Sequence, residues 1–167
     1  MKIIISGFGT DESGIVKKIS KAITDLQGNI EESRMIKLGT EFTIMMLIDI
    51  YTSPNQLKDK LDLIKGMQFI IKESAESSKD ICNATISLTG ADNIGIVNLI
   101  SDVLAKNKIN ILEMNTDIVN VPNTGTPIFN MIAKIQIIDI TDIKNIETQL
   151  NKKSSDFDVE INLSMEN

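Results

Sequence analysis

The sequence predicts an α+β fold made of two tandem ferredoxin-like βαββαβ domains, each an antiparallel four-stranded sheet with its helices on one face. Three observations carry that prediction. The chain has 167 residues and about 18.5 kDa, room for one medium domain or two small ones. It repeats itself once, since an offset of 81 positions lays residues 5–32 on 86–113 with 12 identities in 28 positions. Within each copy, stretches of β-branched residues and of helix-period apolar residues follow one another in the same order.

The matched positions include Gly9 with Gly90, Asp11 with Asp92, Gly14 with Gly95, and Asn29-Ile30 with Asn110-Ile111. Phe42 pairs with Phe129 only at an offset of 87, so the second copy carries six extra residues near 120–126. A period near 80 residues is too long for a solenoid and reads as duplication of a whole small domain. The expected boundaries are a first domain over 1–76, a linker and entry strand over 77–83, and a second domain over 84–167. The charged, polar stretch 73–80 supplies the linker.

Each element has a local reason. Residues 2–8 and 84–88 are apolar and β-branched enough for strands. Asp11 or Ser13 is placed to cap a helix that shows Ile15, Val16, Ile19, Ile23 and Leu26 on one face before Gly28 ends it. The second helix runs from Asp92 through Ile96, Val97, Ile100, Val103 and Leu104. Paired long strands follow over 30–38 and 41–51, then over 111–119 and 127–138, joined tightly at Gly39-Thr40 in the first copy and loosely in the second. Ser53-Pro54 and Thr141-Asp142 open further helices, and short strands over 67–72 and 157–163 close the copies. Phe42, Ile44, Met46, Ile48 and Ile50 line one face of their strand. Met45 and Leu47 make the other face apolar as well, so a homodimer, packing between the copies, or both would cover it.

Composition excludes several function classes. With 42% hydrophobic and 24% charged residues the chain is an ordinary folded one. The absence of His removes Ser-His-Asp and Cys-His hydrolases and imidazole zinc sites. The single cysteine, Cys82, excludes an internal disulfide and a CxxC pair and fits a reducing cytoplasm. A net charge of −6 and a single arginine, Arg34, argue against direct nucleic-acid binding. No stretch approaches the ~20 apolar residues of a membrane span and no export signal is visible, so a soluble protein is expected. No nucleophile-base pair or metal cluster appears, and neither an enzyme nor a cofactor is expected.

The fold alone does not give function. The metal chaperones and ferredoxins built on it need several cysteines, and its RNA-binding versions need stacking aromatics, which are only 4% here. The segments Gly9-Thr10-Asp11-Glu12-Ser13-Gly14 and Gly90-Ala91-Asp92-Asn93-Ile94-Gly95 remain, each placed where a strand feeds a helix. Free backbone N–H groups and the positive end of the helix dipole there suit a carboxylate, while an Asp or Asn side chain can take an ammonium group. A small amino acid carries both. The plainer reading is that Asp11 and Asp92 cap helices and the glycines allow tight turns. Asn29 and Asn110 can equally be turn residues. Arg34 either clamps a carboxylate or pairs with Glu32 or Glu41, and the ion pair is favoured.

The pattern D-x-x-G-I-V followed by N-I on the next strand, present in both copies, resembles the ACT domain, a small module that binds amino acids beside metabolic enzymes. Leu38-Gly39-Thr40-Glu41-Phe42 and Gly125-Thr126-Pro127-Ile128-Phe129-Asn130-Met131 bring the chain nearer to the tandem-ACT transcriptional repressors of glycine cleavage. That motif often has Arg-Pro before its glycine, where this chain has Glu12-Ser13 and Asn93-Ile94. The resemblance implies a regulator that senses glycine or a similar small amino acid and acts through a DNA-binding protein partner. Its implied ligand residues are Gly9, Thr10, Asp11, Gly14 and Asn29, with Gly90, Asp92, Asn93, Gly95 and Asn110, set against the second strand of a neighbouring ACT domain. The alternatives are a regulatory subunit of an enzyme such as acetolactate synthase and an interaction module without ligand.

Overall fold

The computed structural model describes residues 1–74, 83–122, 124–137 and 143–165. The chain divides into two compact units, Met1–Ser78 and Lys79–Asn167. Most of the expected linker, the expected helix start at Thr141-Asp142, Cys82 and Ile138 lie outside the described residues.

The first unit runs β1 (Lys2–Thr10), α1 (Ile15–Thr24), β2 (Asn29–Leu38), β3 (Glu41–Asp49), α2 (Pro54–Leu61) and β4 (Met67–Glu73). The second repeats that order with β5 (Ala84–Ala91), α3 (Ile96–Lys106), β6 (Asn110–Asn120), β7 (Pro127–Gln136), α4 (Ile143–Phe157) and β8 (Val159–Met165). The sheets are antiparallel, ordered β2-β3-β1-β4 and β6-β7-β5-β8. This is the ferredoxin-like ACT-type fold, present twice. The duplication reaches fine detail, because β2 and β6 carry an irregularity at the same place, between Ile30 and Glu32 and between Ile111 and Glu113.

Each core lies between one face of the sheet and its two helices. In the first unit Ile3, Ile5, Ile44, Ile48, Ile19, Ile23, Leu57 and Leu61 are fully buried. In the second, Ile86, Met131, Ile135, Ile100 and Leu104 hold the matching positions, with Ala84 in place of Ile3 and Leu88 in place of Gly7. Burying a side chain of this size stabilises by roughly 1.5–3 kcal/mol, so these isoleucines and leucines dominate the stability of each unit.

The helix ends differ from the sequence expectation. Neither Asp11 nor Ser13 caps α1, and Asp92 does not cap α3. The caps are Gly14 (φ 85°) and Gly95 (φ 96°), left-handed glycines with no side-chain cap bond. The reason is geometric: a left-handed residue directly before the helix turns the chain out of the sheet, which leaves each aspartate three residues back on the strand side. Nor does Gly28 end α1. That helix stops at Thr24, and Gln27 (φ 57°) takes the left-handed position, as Lys108 (φ 55°) does after α3. Phe157, expected in the last strand, closes α4 instead. Ser53 does cap α2, accepting a bond from the Gln56 N–H at 3.4 Å with Pro54 at the first helical position.

Candidate ligand site at the strand-to-helix junction

Gly9 and Thr10 were expected in a turn, yet both are the last residues of β1; Gly90 likewise belongs to β5. Their glycines are required by close approach. A Cβ on Gly9 would overlap the carbonyl oxygen of Gly66, and one on Gly90 would lie 2.6 Å from that of Asp158. Those carbonyls come close because each accepts a bond from the next residue: Thr10 N–H donates to Gly66 at 3.2 Å, and Ala91 N–H to Asp158 at 3.4 Å. The left-handed Gly66 (φ 80°) and Asp158 (φ 53°) turn the chain into β4 and β8 at this point.

The backbone donors expected to be free are therefore partly committed. Thr10 N–H is used by Gly66, and Asp11 N–H donates to Thr40 at 3.0 Å. Ile15 N–H, the first of α1, donates to the Glu12 carbonyl at 3.1 Å, whereas the Glu12, Ser13, Gly14, Val16 and Lys17 N–H groups have no backbone acceptor among the described residues. The helix end thus still presents donors and a positive dipole end. Beside it, Phe8, Gly9, Thr10, Glu41, Gly66, Met67 and Gln68 line an open depression of about 380 Å³.

The two units differ in how the aspartate is used. Asp11 Oδ2 accepts from Lys37 Nζ at 2.6 Å. Lys37 pairs with Phe42 in the β2–β3 ladder, and Ile118 pairs with Phe129 at the same register position in the second unit. Where Asp11 has a lysine, Asp92 therefore has an isoleucine, and the exposed Asp92 carboxylate has no partner among the described residues. Lys37 is a residue that sequence reasoning passed over, because only the strand register reveals that it reaches Asp11. The neighbouring positions are also occupied. Glu12 pairs with Lys18 at 3.0 Å, and Asn93 Nδ2 donates to the Phe157 carbonyl at 2.8 Å, tying its junction to α4.

Asn29 and Asn110 are not brought to these junctions within their own units. Asn29 shares a row with Asp49 and Lys2, while Thr10 shares one with Glu41 at the other end of the sheet, eight rows or about 26 Å away. Asn110 stands opposite Gln136, likewise at the far end from Ala91. Arg34 forms the favoured ion pair, with Glu32 at 3.0 Å. Among the described residues, no group of His, Cys, Asp and Glu could hold a metal ion, and no helix is long and apolar enough to cross a membrane.

Known proteins agree with this architecture. Over 46 residues the chain is 41% identical to the glycine cleavage system transcriptional repressors of Escherichia coli strain K12 and of Shigella flexneri, a stretch covering 28% of this chain and 24% of each relative. The match thus spans about a quarter of the length of those relatives. A crystal structure of an unknown protein from Galdieria sulphuraria superposes with a TM-score of 0.89 at 27% identity, over 99% of this chain and 98% of that one. A crystal structure of a protein assigned as a glycine cleavage system transcriptional repressor gives a TM-score of 0.70 at 19% identity over 99% and 96% of the two chains, a likeness of fold. Residues 2–72, most of the first unit, match the ACT domain family, and the second unit repeats the fold of the first.

Proposed function

We propose that this protein is an amino-acid-responsive regulator of glycine cleavage or of related amino-acid metabolism, acting in the cytoplasm through a DNA-binding protein partner. The observation that carries the reading is the strand-to-helix junction itself. It occurs in both units with an aspartate beside helix-end donors, and the second aspartate is exposed with no partner among the described residues. A zwitterion offers its carboxylate to the helix end and its ammonium to the aspartate. The ACT match over residues 2–72 and the similarity to glycine cleavage repressors support a regulatory role for that binding. The net charge of −6 favours a protein contact over a phosphate backbone as the output.

The test is a thermal-unfolding screen of the full chain against the twenty amino acids, followed by a pull-down with the responding one present and absent. Ligand at ~100 times its Kd adds about 2.7 kcal/mol to stability and raises the midpoint by several degrees. A shift with glycine or serine supports the proposal. A shift with branched-chain amino acids alone points to an enzyme subunit, and no shift with any of them overturns the sensor reading.

A further inference from the structure

The outer faces of the two sheets, those turned away from the helices, differ in a way their shared fold does not require. In the first sheet the register lays Glu32, Leu47, Ile4 and Lys72 in one row across β2, β3, β1 and β4. In the adjoining rows Met45, Ile70, Ile36 and Phe8 stand 55, 54, 54 and 46% exposed. The corresponding row of the second sheet reads Glu113, Lys134, Thr85 and Ser164, with Glu113 and Lys134 paired at 3.1 Å. Where the first sheet exposes Phe8, the second has Thr89, bonded to Asn130 at 3.0 Å. An ACT-type sheet therefore tolerates a polar outer face, and the first unit's apolar one needs cover of its own.

We propose that this face docks a second copy of the chain, first unit against first unit, about a two-fold axis parallel to the strands. Such an axis lays β2 of one copy over β4 of the other and β3 over β1, at unchanged height. Leu47 then meets the partner's Ile4, and Glu32 meets the partner's Lys72, each contact made twice. One row further out, Asp49 lies over the partner's Lys2. The face is thus self-complementary in charge at both edges and apolar between them. Lys72 has no ion-pair partner among the described residues, which leaves it available for that contact. Four strands about 4.8 Å apart and eight residues long present roughly 500 Å² of projected sheet, more once side-chain relief is counted, against ~800 Å² per partner in a standard interface. Sheets that pack face to face keep their strand directions within about 30° of each other, close to the parallel alignment that this axis gives.

Sedimentation equilibrium on the full chain, without amino acids, tests the arrangement. The expected result is a species of twice 18.5 kDa. Met45→Lys should weaken association by about 100-fold, whereas Ile132→Lys on the second sheet's outer face should leave it unchanged. Because Met45→Lys places a charge on the sheet, a second pair of variants gives a check at exposed positions. Glu32→Lys should weaken association about tenfold, and Glu32→Lys combined with Lys72→Glu should restore it. A wild-type monomer at about 100 μM, dissociation by Ile132→Lys in place of Met45→Lys, or failure of the charge exchange to restore the dimer would each overturn the proposal.

Discussion

Lys37 Nζ lies 2.6 Å from Asp11 Oδ2, so the carboxylate proposed to receive a ligand's ammonium group already holds one from its own chain. At the equivalent junction Asp92 meets no cation among the described residues, because Ile118 occupies the position of Lys37. The two units share a junction and differ in its occupancy. In the proposed binding mode the second junction is open to a zwitterion, whereas the first would have to give up an internal competitor.

From this follows an unequal response to mutation. Asp92→Ala should abolish most of the amino-acid-induced rise in midpoint, while Asp11→Ala should leave most of it. Lys37→Met should add a second binding event, seen as a stoichiometry rising from one toward two in isothermal titration calorimetry. The pair is largely exposed, at 61 and 30%, so breaking it should cost no more than about 1 kcal/mol. A change in stoichiometry would thus not be confused with unfolding.

The glycines at the junction fall into two classes. Gly9→Ala would drive a Cβ into the Gly66 carbonyl, a backbone atom held by its bond to Thr10, and should cost about 2–3 kcal/mol. Gly14→Ala meets nothing within 4 Å and suffers only from φ 85°, a cost of about 1 kcal/mol. Denaturant melts of the two variants should separate them in that order. Equal losses would mean that backbone conformation rather than close approach fixes Gly9.

The fold was legible because both of its signals are local or repeated. Ile3 and Ile5, and Phe42 to Ile50 in alternation, declare their buried face by period two, and the offset of 81 doubled every assignment. The junction was half legible. Asp11 and Gly14 stood out by repetition, but which of them caps the helix depends on a left-handed backbone angle that no side chain announces. Lys37 lay 26 positions from Asp11 in sequence, and only the tight β2–β3 turn, with Gly39 at φ 61° and the Thr40 carbonyl taking the Asp11 N–H, brings them together. Asn29 follows the motif in sequence, yet α1 carries the chain to the far end of the sheet before Asn29 opens β2, so Asn29 could reach only the junction of a neighbouring domain.

Asp25 closes α1 and touches both Lys21, at 2.8 Å, and Lys60 of α2, at 3.7 Å. The hydrogen bond from Lys21, with both lysine charges, holds its carboxyl below the ordinary aspartate value. A depressed folded value means that the pair stabilises the unit above the unfolded pKa, near 3.9, and that this contribution is lost as pH falls through the folded value. Asp25→Asn should therefore lower the midpoint slightly at pH 7 and match wild type at pH 2. The difference at pH 7 should also shrink in high salt, since the group is exposed.

Asn83 precedes β5 and pairs its side chain with the backbone of Ile137 in both directions, Nδ2 donating to the carbonyl at 2.5 Å and Oδ1 accepting the N–H at 2.7 Å. Its own N–H donates to the Ile135 carbonyl at 3.3 Å. The amide thus continues the β5–β7 ladder by one rung at the point where the chain enters the second unit, and Ile137 beside it is 4% exposed. Removing it leaves a nearly buried N–H and carbonyl unpaired, a cost of about 1–3 kcal/mol. Asn83→Ala should lower the melting midpoint of the second unit and raise hydrogen exchange at the Ile137 amide well above that at Ala133 in the centre of β7. Asn83→Asp keeps the acceptor but loses the donor, so it should protect the Ile137 N–H while still destabilising the unit. If both variants melted like wild type, water would be replacing the rung at no cost and the side chain would not be a structural part of the sheet.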